Sequence, residues 1–318
     1  MGYGLPVSIP WPEPQPNLSS HPPPGGRGSL RLGLLLGLIG VVIFGITLPA
    51  TRIAVLEMDP AFVTFARALI AAALAAGYLL LVRAALPPPD AWRQLAVFGL
   101  CTTIGYPLLM GIAMRYAPAS HGGVVLAVQP LLTALASMHV AGERPSPAFW
   151  ACSLAGTAAA ITYTVLSSAG TLELHWADLL LAGAAAAGCY GYAVGGHLTQ
   201  RMPGSHVISW ALIVMAPLIL ALLLVNGVPG DLGTVSWAAW AALLFVGMFP
   251  MYLGFFAWNR GLAIGGIAKV GQMQLVQPFI TLAAASALLG EQIGALELVF
   301  SVLVVTLVAL GSRMRVAR

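Results

Sequence analysis

Apolar residues run along the chain in long blocks separated by short polar punctuation. Each block is close to the roughly 20 residues that a helix needs to cross a bilayer. The pattern predicts membrane spans at 31–54, 61–82, 92–114, 119–140, 147–167, 177–199, 206–226, 236–258, 266–289 and 292–311. The breaks have visible causes. Pro87-Pro88-Pro89 closes the second span, Arg144-Pro145-Ser146-Pro147 divides the fourth from the fifth, and Asn226 to Asp231 divides the seventh from the eighth. Residues 1–30 hold eight prolines and no apolar run, and are expected to form a disordered cytoplasmic tail rather than a signal peptide. A short basic tail, 313–318, closes the chain.

Composition strengthens the membrane reading. Of 318 residues, 59% are apolar and 8% are charged, against roughly 25% charged in soluble domains. The formal charge of +4 comes from single basic residues scattered between apolar runs and is no nucleic-acid signal. Cys101, Cys152 and Cys189 fall inside apolar segments, where cysteine serves as a small packing residue. With the N-terminus inside, eleven Lys/Arg lie on the inner side and only Arg52, Arg67 and Arg115 on the outer. Positive loops stay cytoplasmic, so both termini are expected there and the span number is even.

An internal repeat adds topology. Shifting Gly123–Glu143 by 148 residues onto Gly271–Glu291 gives eight identities in 21 positions without a gap. They include Gln129-Pro130 with Gln277-Pro278 and Gly142-Glu143 with Gly290-Glu291. The repeat spans five helices. An odd number inverts the second copy in the membrane, the construction used by many secondary transporters. The fold class is therefore all-α, with ten transmembrane helices as two inverted five-helix repeats, 31–168 and 176–312.

These features resemble the drug/metabolite transporter superfamily, EamA type. The likeness rests on the short N-terminal tail, the two five-helix halves, and the proline-to-Gly-Glu ending of the fourth and ninth spans. Phe44-Gly45 stands where the family often has Trp-Gly, and Ala113-Met114-Arg115-Tyr116 is similar to its Ala-Leu-x-Tyr ending of the third span. The sixth span departs from the pattern with Tyr190-Gly191. The resemblance implies export or exchange of amino acids, other metabolites or cationic drugs through a central cavity shared by both halves.

Candidate chemistry follows from polar residues placed inside spans. Gln129 and Gln277 each carry an amide that must be satisfied away from lipid, and each precedes a proline that frees the carbonyl four residues earlier, on Leu126 and Gln274. Two readings stay open: kinked helices at Pro130 and Pro278 flanking the substrate, or glutamines bonding neighbouring helices. Phe44, Tyr106, Tyr190 and Tyr252 lie near mid-depth on four spans and are expected to line an aromatic pocket. Lys269 and His121 occupy equivalent repeat positions, as candidate charge contacts. Arg67 is expected to pair with Glu57 or Asp59 at the outer rim. Glu143 and Glu291 are expected to sit by the N-terminus of the helix that follows each.

Absences narrow the function. There is no Gly-x-x-x-x-Gly-Lys-Ser/Thr loop for ATP, no Gly-x-Ser-x-Gly, no metal-ligand spacing, and no Asp or Glu in mid-span. Proton coupling would fall to a histidine or to the substrate. The expectation is a secondary transporter, not an enzyme, in a bacterial cytoplasmic (inner) membrane. It has no cofactor and no nucleic-acid partner, takes a small-molecule substrate, contacts membrane lipids, and is a monomer or homodimer. The alternatives are a lipid or lipid-linked sugar flippase and, further off, a membrane-embedded enzyme.

Overall fold

The computed structural model describes residues 27–117, 119, 122, 126–167, 176–227, 232–290, 295–311, 313–314 and 316–317. Most of the proline-rich tail, His121 and Glu291 lie outside the described residues. Helix begins at Arg27, so the last residues assigned to the tail are already helical.

Among the described residues, seven helical segments are long and apolar enough to cross a membrane: α1 (Leu30–Glu57), α2 (Pro60–Leu81), α3 (Pro89–Tyr116), α6 (Trp176–Leu198), α7 (Gly204–Asn226), α8 (Trp237–Gly265) and α9 (Ile267–Leu289). The remaining helices are α4 (Gln129–Ala141), α5 (Pro147–Ser167) and α10 (Ala295–Gly311). Arg144–Pro145 (β1) pairs antiparallel with Val316–Ala317 (β2), tying the α4–α5 turn to the chain end. Polarity is inside out. Leu80, Leu81 and Val225 are 79%, 83% and 87% exposed, while Arg67, Gln129, Asn259, Gln272, Gln274 and Gln277 are buried. Such an apolar outer surface with a polar interior suits a lipid surround. The chain is a multi-pass membrane protein.

Local chemistry starts and stops the helices. The Asp59 carboxylate accepts from Ala61 N and Phe62 N at 2.9 and 3.1 Å, and Pro60 takes the first helical position of α2. Ser236 caps α8 by accepting from Ala239 N at 3.2 Å. Gly142 and Gly290 end α4 and α9 at φ 64° and 70°, a left-handed conformation that glycine adopts without strain.

Three departures from regular α-helix recur about 148 residues apart. A 3-10 turn, Leu126–Val128, leads into Gln129-Pro130, and another, Gln272–Val276, leads into Gln277-Pro278. The left-handed glycines close both helices. Inside α3 and α8, the π-helical stretches Leu100–Gly105 and Phe249–Leu253 put i→i+5 bonds from Tyr106 N to Cys101 O and from Gly254 N to Phe249 O. Such stretches are rare and occur often at functional sites.

Helix contacts fall in matched pairs. α1 packs on α8 as α3 packs on α6, α4 meets α6 as α9 meets α1, and α3 meets α7 as α8 meets α2. Three further pairs, α2 with α7, α4 with α9 and α5 with α10, join like to like. Thr133 Oγ1 donates to Gln274 Oε1 at 2.8 Å between α4 and α9, and Thr281 Oγ1 donates to Gly45 O at 2.8 Å between α9 and α1.

Candidate functional site

Residues of both π-helical stretches line one cavity. Its empty space, counted with what is open to the outside, is about 350 Å³. Phe44 and Thr47 of α1 line it, with Arg67 of α2, Thr102 and Tyr106 of α3, Gly188 and Tyr192 of α6, and Pro250, Met251 and Phe255 of α8. Thr102 and Pro250 come from equivalent places in the two stretches, 148 residues apart.

One wall is aromatic. The Phe44 ring stacks on Tyr192 at 5.8 Å and 7°, and meets Phe255 at 5.3 Å and Trp258 at 5.8 Å. Among the described residues the lining carries one charge, Arg67. Arg67 is 3% exposed, and neither Nε nor Nη1 has a hydrogen-bond partner. Thr47 Oγ1 is likewise buried without a partner, whereas Thr102 Oγ1 is spent on Phe98 O at 2.7 Å.

The expected rim pairing of Arg67 is not formed, because both carboxylates are engaged elsewhere. Glu57 accepts from Ser236 N at 2.7 Å and from Ser236 Oγ at 2.6 Å, tying α1 to the start of α8. Asp59 caps α2. Arg67 lies two helical turns further in and faces the cavity instead.

The model of the EamA-like transporter family matches twice, over residues 31–165 and 175–312. The chain belongs to the EamA-like transporter family. Membership of the drug/metabolite transporter superfamily follows. The uncharacterized transporter YdeK of Bacillus subtilis is 39% identical over 281 residues, 88% of this chain and 97% of that protein. A probable terminal-alkyne amino-acid exporter of Streptantibioticus cattleyicolor is 29% identical over 289 residues, 87% of this chain and 92% of that protein. One crystal structure superimposes with a TM-score of 0.69 at 21% identity, covering 88% of this chain and 98% of that one, which shows the fold alone.

Within this EamA-like bundle the expected site residues separate. Phe44, Tyr106 and Arg67 meet at the cavity. Tyr190 does not line it; its ring lies 6.1 Å from that of His139. Tyr192, two positions on and so on a nearly opposite face of α6, takes the place beside Phe44. Tyr252 is buried with its hydroxyl 2.8 Å from Ser209 Oγ, outside the lining. Lys269 is half-buried in the first turn of α9, also outside it.

Gln129, Gln274 and Gln277 are buried behind the cavity rather than in its wall. Gln274 bonds across to Thr133. Both amide atoms of Gln129 and Oε1 of Gln277 are without partners, and the Gln129 carbonyl accepts from Cys189 Sγ at 3.3 Å. Pro130 and Pro278 each take the second position of an α-helix directly after the 3-10 turn.

Glu143 corrects another expectation. It was placed by the next helix, α5, but caps α9 in the other half, accepting from Ile267 N at 2.9 Å and Ala268 N at 2.8 Å. Thr47, Thr102, Gly188, Tyr192, Pro250, Met251 and Phe255 were missed. The repeat offset applied to Tyr106 would have reached Gly254, against Phe44, and so found the α8 wall.

Proposed function

We propose that this protein is a secondary transporter that exports or exchanges small metabolites, amino acids foremost, across the bacterial cytoplasmic membrane by alternating access. Ten spans form two inverted five-helix repeats, 31–168 and 176–312, with both termini in the cytoplasm. The site is the central cavity, with Phe44, Arg67, Tyr106 and Tyr192 as its principal contacts. Gln129-Pro130 and Gln277-Pro278 act behind it as paired hinges, where a 3-10 turn passes into α-helix.

One observation carries the reading: residues of both π-helical stretches, Thr102 and Pro250 with Met251, line the same cavity. The matched contacts and the recurring backbone departures support two copies related by inversion. The relative named as an amino-acid exporter supports the substrate class. Cationic compounds drop from the expected range, since a buried guanidinium repels a second cation in a low-dielectric cavity.

The test is counterflow in proteoliposomes. Labelled L-leucine or L-phenylalanine is expected to move unchanged, faster when unlabelled amino acid waits on the far side. Reporter fusions at both ends are expected to report the cytoplasm. A substrate chemically altered, or termini on opposite faces, removes the proposal.

A further inference from the structure

Arg67 is costly where it stands. A charged side chain within a membrane bundle normally pairs with an opposite charge or with backbone carbonyls. Arg52, on α1, does so, donating Nη1 to Met114 O at 3.1 Å and to Ala117 O. Arg67 has Nε and Nη1 unpartnered at 3% exposure. Among the described residues no carboxylate lines the cavity with it, and the two nearest in sequence are held by Ser236 and by the start of α2.

The scaffold does not require this charge. Gly99 lies against the carbonyl of Ala211, and Gly247, 148 residues on, lies against the carbonyl of Arg67. A methyl at either glycine would stand 3.1 Å from the oxygen. Ala211 is therefore the counterpart of Arg67 in the second half, and there the same helix packing is built on a methyl group.

We infer that Arg67 is an anion subsite, and that the substrate is a small carboxylate whose compact apolar group lies against Phe44, Tyr192 and Phe255. This rests on the transport reading above and narrows it. The guanidinium presents donors in a planar fork that fits a carboxylate, with the unpaired Thr47 hydroxyl on the same cavity wall system as a further donor. Among the described residues the lining holds no acid to receive an ammonium, so an α-amino group is dispensable. Pairing also neutralises the guanidinium, so the loaded site carries less uncompensated charge than the empty one.

The experiment uses the full-length protein in detergent and in proteoliposomes. The ligands are leucine, isocaproate, leucinamide and isoamylamine, with phenylalanine, hydrocinnamate, phenylalaninamide and phenethylamine as the aromatic series. Leucine, isocaproate, phenylalanine and hydrocinnamate are expected to raise the melting temperature and to compete in counterflow, and the amides and amines are not. Arg67→Gln is expected to weaken binding of the acids about ten- to a hundredfold, the range for charge-assisted hydrogen bonds. Arg67→Lys is expected to keep part of that binding.

The ligand-free Arg67→Gln protein is expected to melt no lower than the parent, whereas a structural arginine would make it melt lower. If that variant does not fold, the contrast between acids and amides in the parent decides alone. Equal response to acids and amides, or unchanged acid binding by Arg67→Gln, overturns the subsite and leaves the transport reading standing. No flux and no stabilisation by any compound overturns both.

Discussion

The two halves share a scaffold but divide bulk between them. In α1 and α2 the structural offset to the second half is 144 residues, as Arg67 and Ala211 establish. In α3 and α4 it is 148, as the left-handed glycines establish. At these offsets Phe44 corresponds to Gly188, Arg67 to Ala211 and Tyr106 to Gly254. At these three positions the first half supplies the large side chain and the second half the room, while Tyr192 and Phe255 of the second half complete the lining. A methyl on Gly188 would lie 2.8 Å from the Tyr106 ring, and one on Gly254 would lie 3.0 Å from Phe44 Cε1. The cavity is therefore asymmetric at these positions, with bulk on one side of each pair and clearance on the other.

That division can be broken from either side. Truncating the large partner has the largest expected effect. Phe44→Ala removes a 4%-exposed ring that packs on Tyr192, Phe255 and Trp258, and is expected to cost about 3–5 kcal/mol of stability, read from denaturation in detergent. Filling the hollow comes next. Gly188→Ala is expected to cost about 1–3 kcal/mol through overpacking, and to push Tyr106 into the cavity, so that counterflow falls more than stability. A Gly188→Ala protein with parental melting and flux would contradict the division of bulk.

The smallest effect concerns repeat positions that kept the same residue. Thr133 and Thr281 correspond, but their partners differ. Thr133→Val leaves the buried Gln274 amide without its acceptor contact as well as with an unpaired Nε2, and is expected to cost about 1–3 kcal/mol. Thr281→Val removes only a hydroxyl from the Gly45 carbonyl and is expected to cost about 1 kcal/mol. Equal melting shifts for the two would show that the Gln274 contact is not specific to one half.

Much of the site was hidden by helix phase and by one loop. Tyr190 and Tyr192 lie at the same depth, and only the rotation of α6 against α1 decides which meets Phe44. The pairing of Phe44-Gly45 with Tyr190-Gly191 is displaced in the same way. The connection after α7 is longer than the one after α2, so a single offset does not fit both sides of it. Glu143 finds its partners 124 and 125 residues away, at the start of α9, where no local rule leads. Arg67 has two acids within ten residues; local capping takes Asp59, and Ser236, 179 residues away, takes Glu57.

The sequence alone determined the apolar segments, their breaks and the duplication, because lipid imposes a length and a polarity on every crossing helix and because paired Gln-Pro and Gly-Glu motifs survive in both copies. It also carried the family. The tertiary structure decided which polar groups face the cavity and which face each other, since that depends on helix rotation and on contacts between segments far apart in the chain. It left Arg67 facing the cavity without an acid partner and put glycine where the opposite half needs space, and neither outcome is written in the pattern of apolar and polar positions.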